Sequence, residues 1–362
     1  MRNGTITLAM GNRKQAANHL QNEVSALRGA LLAWYRRYRR ELPWRRDNDA
    51  YRVWISEIML QQTRVAAVLE HYRLFLEAFP TVADLASAGE DRVLALWSGL
   101  GYYRRARMLH KTAQFVAGHL LGNLPSTAKD LRDLPGIGAY TAAAIASIAH
   151  GEQVAVVDGN VERVLCRLEG WKAGRRSSRT AQFRRKIEKM ATLILSPQRP
   201  GDSNQALMEL GATLCLPRNP QCIACPIAGD CKTKGEHQTT PRPRMQNREA
   251  AYALTLRAGR RDGRIYREVL LEQRPASQTV MPGLWELPSL AEVGVPEEDL
   301  HLSLRHAIMQ VNYSVGIRTV SEDDVDAMTI PGGRRRWFPL DEAPKMALTG
   351  LARKVLTRGR LM

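Results

Sequence analysis

Four cysteines crowd between residues 215 and 231, as Cys215, Cys222, Cys225 and Cys231 in the spacing C-x6-C-x2-C-x5-C. No other feature limits the fold so tightly, because four thiols this close oblige the intervening chain to wrap one centre. Pro217, Pro220 and Pro226 hold the turns between them stiff and out of helix. A disulfide framework would instead spread its cysteines along the chain. One tight pair with two looser partners departs from the two tight pairs usual for structural zinc and favours one 4Fe-4S cluster. Zinc is the stronger competitor, and four incidental buried thiols a weak one. The fifth cysteine, Cys166 in VERVLCRL, has no ligand spacing around it and reads as a core residue.

A chain of 362 residues, 44% of them hydrophobic, can bury a substantial core, and its length favours two domains over one. Lys and Arg number 53 against 36 Asp and Glu, so 53 − 36 = +17, and an anionic polymer is the expected partner. Nucleic acid fits better than membrane, because no apolar run approaches the ~18 residues of a membrane span. The opening MRNGTITLAMGNRKQAANHL lacks the apolar core of a secretion signal, which makes a cytoplasmic location the expectation.

Residues 21–235 read as mostly helical, with apolar residues at three and four spacing through 51–78, 91–97, 103–120, 139–149 and 159–169. Residues 1–20 form an extension before this domain. The polar, basic, proline-containing stretch 236–248 reads as a linker. Beyond it, residues 249–362 read as an α+β domain: AAYALTLRA, REVLLEQR, VNYSVGIRTV and RRRWFPL have strand character, and LTGLARKVLTR closes the chain as a helix. The six arginines within 34–46, taken alone, read as a solvated helix face.

In STAKDLRDLPGIGAYTAAAIASIAHG a helix capped near Ser126 runs into Pro135, and an Ala-rich helix starts after Gly138 and stops at Gly151. This predicts a helix-hairpin-helix. Gly136 and Gly138 let the backbone approach closely, and the free N–H groups opening the second helix suit a DNA phosphate. Downstream, Asp158 precedes a helical pattern and reads first as its N-cap, a role compatible with catalysis. Upstream, Glu57 has Val53, Trp54, Leu60 and Gln61 as its helical neighbours. Desolvation by such neighbours favours the protonated form that a general acid needs.

These residues, in this order, resemble the helix-hairpin-helix DNA glycosylases that carry an iron-sulfur cluster, and within them the MutY type. PWR at 43–45 with SEIMLQQT at 56–63 looks like the MutY first catalytic segment, and GLGYYRRAR at 99–107, with Tyr102, like its companion DNA-contacting turn. GLWELPS at 283–289 and the LTGLARKVL ending resemble the MutY Nudix-like module. The resemblance runs from about residue 21 to the end. It implies a multidomain protein: an all-α helix-hairpin-helix glycosylase with a 4Fe-4S loop, then an α+β Nudix-like domain that recognises the opposite base. Carried over by position, Glu57 is the general acid, Asp158 the carboxylate facing the developing sugar cation, Asn160 its supporting neighbour and Tyr140 the residue beside the sugar. Gln62 falls where the family wedges a side chain into the base stack, and Arg45 and Trp44 where it lines the adenine pocket. Adenine leaves deoxyribose poorly unless protonated, so the chemistry needs two acids in opposite states. An apolar pocket keeps Glu57 protonated while the helix N-terminus after Asp158 keeps that carboxylate ionised.

The implied activity is excision of adenine mispaired with 8-oxoguanine or guanine in duplex DNA, by a monomer in the cytoplasm, nucleoid-associated in a bacterium. An endonuclease III type would place a nucleophilic Lys just after the hairpin glycines, where this chain has Tyr140 and no Lys from 130 to 171. A catalytically dead DNA-binding scaffold would need neither Glu57 nor Asp158. The metal-binding glutamates of true Nudix hydrolases are missing after Gly283, so the second domain is expected to bind rather than catalyse. MutY members usually read 8-oxoguanine with a Phe-Ser-His-like tripeptide. Here LRHAIMQVNYSV, aligned from Arg305 and His306, puts Ile308, Met309 and Gln310 there, losing the hydroxyl and the imidazole.

Overall fold

The computed structural model describes residues 4–171, 180–237, 244–261, 264–294, 296–330 and 332–362. Residues 1–3 of the 1–20 extension and 238–243 of the 236–248 linker lie outside the described residues. The helical part runs α1 (Gly4–Tyr38), α2 (Ala50–Leu60), α3 (Val65–Ala78), α4 (Val82–Ser87), α5 (Glu90–Trp97), α6 (Arg104–His119), α7 (Ala128–Leu131), α8 (Ala139–Ala149), α9 (Gly159–Leu168), α10 (Ala181–Ile194) and α11 (Pro200–Thr213). The periodicity over 51–78, read as one helical stretch, divides into α2 and α3. Gln62 between them takes a left-handed φ of 58°, a break that no Gly or Pro announces. The hairpin also differs in detail from its expectation: Thr127, not Ser126, caps the first helix, which is a single turn ending at Leu131.

The chain groups into two compact units, residues 1–61 with 119–240 and residues 62–118 with 241–362. In the first, Leu27, Leu31 and Tyr35 of α1 pack with Val161 and Leu165 of α9, Ile187 and Ile194 of α10, and Leu207 and Leu210 of α11. Ile227 and Cys215, Cys225 and Cys231 sit against the same cluster, so the cysteine loop is built on the core of this unit. Each such apolar side chain contributes roughly 1.5–3 kcal/mol on burial. Helix α8 is Ala-rich because it is crowded, with residues 141–147 all buried and α2 and α11 packed against it. Gly211 of α11 permits an equally close approach to α9, since a Cβ there would stand 2.7 Å from the Cβ of Asn160.

In the second unit, Phe75 of α3 and Phe79, the residue just after that helix, stack edge-on at 5.0 Å, and Phe75 meets Trp97 of α5 at 6.1 Å. The C-terminal part adds strands β1 (Gln246–Leu254), β2 (Leu256–Arg261), β3 (Arg264–Gln273), β4 (Trp285–Glu286), β5 (Leu300–Ile308), β6 (Val311–Thr319) and β7 (Arg334–Pro339), with helices α12 (Val325–Met328) and α13 (Gly350–Arg358). One sheet has the order β1-β6-β5, with β1 and β6 parallel. In the other, β3 pairs with β2, β4 and β7, all antiparallel. Thr349 caps α13, whose Leu351, Val355 and Leu356 close the core over Leu254, Val269, Val315 and Ile317. The region is thus α+β. Within this unit the helical and sheet parts are joined by polar contacts: Ser98 Oγ and Tyr103 OH both donate to Leu348 O, at 2.9 and 3.1 Å, and Arg353 Nε donates to Ser98 Oγ at 2.9 Å. Among the described residues no helix is long and apolar enough to cross a membrane.

Candidate active site

Glu57 lies in α2, which starts at an Asp49 cap accepting from Arg52 N, and the helix turns it inward beside Val53 and Trp54. It is 6% exposed, which decides its chemistry. Burial pushes its pKa up from 4.5 to about 7; the Tyr140 hydroxyl and the Arg45 charge oppose the rise and the Asp158 charge adds to it. Tyr140, on the first turn of α8, donates its hydroxyl to Glu57 Oε2 at 2.6 Å. The tyrosine's own pKa is raised well above 10 by burial and by Glu57, so it remains a donor. With Oε2 taken, the second carboxyl oxygen is the one left to carry a proton to a ligand.

Asp158 is the N-cap of α9: Oδ1 accepts from Val161 N at 2.7 Å, and Oδ2 accepts from Asn160 Nδ2 at 2.8 Å. Each oxygen keeps a further lone pair, and the half-buried carboxylate is fixed from two sides. Arg163 continues the network, donating to Asn160 Oδ1 at 2.9 Å, to Gly211 O at 2.7 Å and to Cys215 O at 2.8 Å. Asn160 is therefore tied both to the capping carboxylate and to the start of the cysteine loop.

Arg45 and Trp44 form a 3-10 turn, Pro43–Arg45, with Trp44 buried. Arg45 is bound internally: it donates to Glu209 Oε2 at 2.8 Å and to Arg40 O at 3.1 Å, and its guanidinium lies 5.6 Å from the Tyr35 ring. Arg40 holds both oxygens of the same carboxylate. Burial alone would raise the pKa of Glu209, but these two arginines override it and hold it at about 2. Two of the six arginines in 34–46 are thus partners of a buried acid rather than part of a solvated face. Sequence reasoning missed Glu209, although the test that singled out Glu57 finds it: its helical neighbours Gln205, Ala206, Ala212 and Thr213 carry no charge.

The hairpin backbone turns at Gly136, where φ is +77°, while Gly138 is the extended N-cap of α8 at φ −85°. Both are exposed, at the end of α8 where its free N–H groups point outward. Cys215, Cys222, Cys225 and Cys231 line one pocket with Arg167, Leu210 and Ile227. Arg167 Nη1 donates to Cys215 Sγ at 3.4 Å, and Cys231 Sγ donates to Arg167 O at the same distance. Among the described residues no three His, Cys, Asp or Glu converge closely enough to hold a metal ion.

The remaining candidates lie in the other unit. Gln62 and Tyr102 are exposed at the tips of two turns. Ile308 ends β5 and pairs with Val311 of β6, leaving Met309 and Gln310 as a two-residue turn. Met309 is 75% exposed at φ 54°, and Gln310 O accepts from Gln246 N at 2.9 Å, anchoring the tip to β1.

A family model described as the HhH-GPD superfamily of base excision DNA repair proteins matches residues 55–190. The adenine DNA glycosylase of Mus musculus is 35% identical over 405 residues, covering 92% of this chain and 78% of its own. That of Homo sapiens is 48% identical over 221 residues, covering 59% of this chain. The match thus spans only 40% of the human relative's length. Among solved structures, a thermostable thymine-DNA glycosylase superposes with a TM-score of 0.54 at 28% identity, covering 60% of this chain and 98% of that one. A buried acid bonded to tyrosine, a capping aspartate and a glycine-turned hairpin within the matched span, together with the extent of the mouse match, place this chain in the MutY-type adenine DNA glycosylases of the helix-hairpin-helix superfamily.

Proposed function

We propose that the chain hydrolyses the N-glycosidic bond of adenine mispaired with 8-oxoguanine or guanine in duplex DNA, in base excision repair, without cleaving the strand. The observation that carries this reading is the buried Glu57, half protonated near pH 7 and oriented by Tyr140. Protonated Glu57 donates to the purine as the bond to C1′ breaks, and the bonding pair leaves with adenine. Asp158, held by Val161 N and Asn160, offers its remaining lone pairs to the sugar cation. Water adds to C1′, and its proton returns to the ionised Glu57. Tyr140 cannot form an imine, which supports a monofunctional enzyme.

Trp44 and Arg45, the latter fixed by Glu209, line the adenine pocket in this reading. Gln62 enters the base stack, Tyr102 contacts DNA from the companion turn, and Gly136 and Gly138 seat a phosphate. The four cysteines would hold one 4Fe-4S cluster, which when bound supplies iron–thiolate bonds that cross-link the loop. Residues 21–235 then act as the glycosylase domain, 236–248 as a linker, and 249–362 as a Nudix-like module reading the opposite base through Ile308 and Gln310.

Single-turnover excision of adenine opposite 8-oxoguanine, guanine, cytosine and thymine tests the proposal. The first two are expected to be substrates, and Glu57→Gln to slow excision on the order of 10²–10⁴-fold while mismatch binding stays within a few-fold. Wild-type rates in Glu57→Gln, or a strong borohydride-trapped adduct in the wild type, would falsify the acid assignment or the monofunctional reading respectively.

A further inference from the structure

Gln62 and Tyr102 sit 40 residues apart in sequence but share an unusual backbone state. Both are non-glycine residues in the left-handed region, at φ 58° and 49°, and both are exposed. Such residues persist only where the surroundings over-determine them. One side chain touches both turns. Arg105, in the first turn of α6, donates from Nη2 to Thr63 Oγ1 at 3.2 Å, next to Gln62. The same nitrogen donates to Leu100 O and Gly101 O, each at 3.1 Å, next to Tyr102. Its guanidinium carbon lies 5.4 Å from the Trp97 ring centroid and 5.5 Å from that of Tyr102. Trp97 Nε1 also donates to Gly101 O at 3.1 Å.

Burial pulls the Arg105 pKa down to about 10, whereas its neighbours Arg104 and Arg64 are exposed. A guanidinium enclosed between two rings and bonded to two turns is placed to hold protein together rather than to meet a phosphate. The flat group reaches both turns through one nitrogen while its carbon lies within 5.5 Å of two ring centroids, and a lysine ammonium, a compact point charge, has no planar surface to set against those rings.

We propose that Arg105 is a positioning residue that fixes the Gln62 turn and the Tyr102 turn in one register, so that both side chains enter the base stack of a mismatched duplex together. This rests on the reading of Gln62 as the stack-entering residue and extends it to Tyr102, the exposed aromatic of the DNA-contacting turn, which shares its left-handed backbone. Two insertions into one duplex must match the fixed spacing of its base steps. A rigid relation between the turns therefore acts on mismatch-specific binding and leaves the general attraction to phosphates unchanged.

The test uses the full chain carrying Arg105→Met, Arg105→Lys or Thr63→Val, with Gln62→Ala and Tyr102→Ala as references. Affinity is measured for a matched duplex and for one bearing a non-hydrolysable 2′-fluoro-deoxyadenosine opposite 8-oxoguanine. The fluorescence of 2-aminopurine beside the mismatch reports unstacking. Arg105→Met is expected to lower mismatch affinity roughly tenfold or more and to abolish the fluorescence rise, with matched-duplex affinity and its salt slope unchanged. Arg105→Lys should not rescue, and Thr63→Val should lose part of both signals. Should Arg105→Met not fold, Thr63→Val decides, because it leaves the guanidinium and its carbonyl bonds in place.

A matched-duplex affinity that falls together with a salt slope reduced by about one makes Arg105 a phosphate contact and overturns the proposal. So do unchanged specificity and fluorescence in the Arg105 and Thr63 variants when Tyr102→Ala loses both. If Gln62→Ala and Tyr102→Ala also change nothing, the stack-entering reading falls and takes the proposal with it.

Discussion

Burial among Val53 and Trp54 makes Glu57 keep its proton to about pH 7, and excision and stability both feel it. In the proposed mechanism excision needs the protonated form, so the single-turnover rate should fall roughly tenfold per pH unit above about 7. Tyr140→Phe removes the hydrogen bond that lowers this pKa, and the alkaline limb should then move to higher pH even as the maximal rate drops. A limb that stays in place would detach it from Glu57. For stability the folded pKa is raised above the unfolded 4.5. The full contribution is therefore present below 4.5 and is lost as pH rises through about 7, a change on the order of 3 kcal/mol. Glu57→Gln should consequently melt higher than wild type at pH 8 while its excision stays slowed. The sequence makes Glu57 and Asp158 visible, one by apolar neighbours and the other by its place before a helix. The pairing of Arg45 with Glu209 does not show in the sequence, because the acid is 164 positions away in the chain.

At the level of elements, periodicity in the sequence located α8, α9, β3 and β7 but ran through the break between α2 and α3. Gln62, two residues beyond the end of α2, takes a left-handed φ for which glutamine has no intrinsic preference, so no local signal marks the break. Strand β5 is absent from the sequence reading although Leu300, Leu302 and Leu304 alternate with the exposed His301 and Ser303, a period-two signal that the sequence carries. The β5–β6 turn is a further case. Two-residue hairpin turns favour Gly or Asn where φ is positive, yet Met309 occupies that position at 54°. In the proposed reading Gln310 beside it would offer an amide to a purine edge, a contact worth about 1–3 kcal/mol. Adenine should be excised opposite both 8-oxoguanine and guanine. Gln310→Ala should reduce the preference for the former about tenfold, read as the ratio of single-turnover rates. Preference unchanged in that variant places recognition outside this turn.

For the molecule as a whole, the cysteine loop rests on the core cluster that also contains α9, and Arg163 joins its first cysteine to Asn160. Purified protein should be brown, with about four irons per chain, and oxidative loss of iron should weaken DNA binding while sparing the rate at saturating protein. One zinc and no iron would show that the cysteine spacing misled. Composition and the basic linker suggest two successive domains, but no local signal reveals that residues 62–118 group with 241–362, because that grouping depends on contacts such as Ser98 to Leu348. The chain passes from one unit to the other three times, after residues 61, 118 and 240. A gene rearrangement that cuts at the last crossing would therefore not transplant an intact module. It would strand Ser98 and Tyr103 without their shared carbonyl acceptor, so inheritance of this architecture is favoured as a single piece over shuffling of its parts.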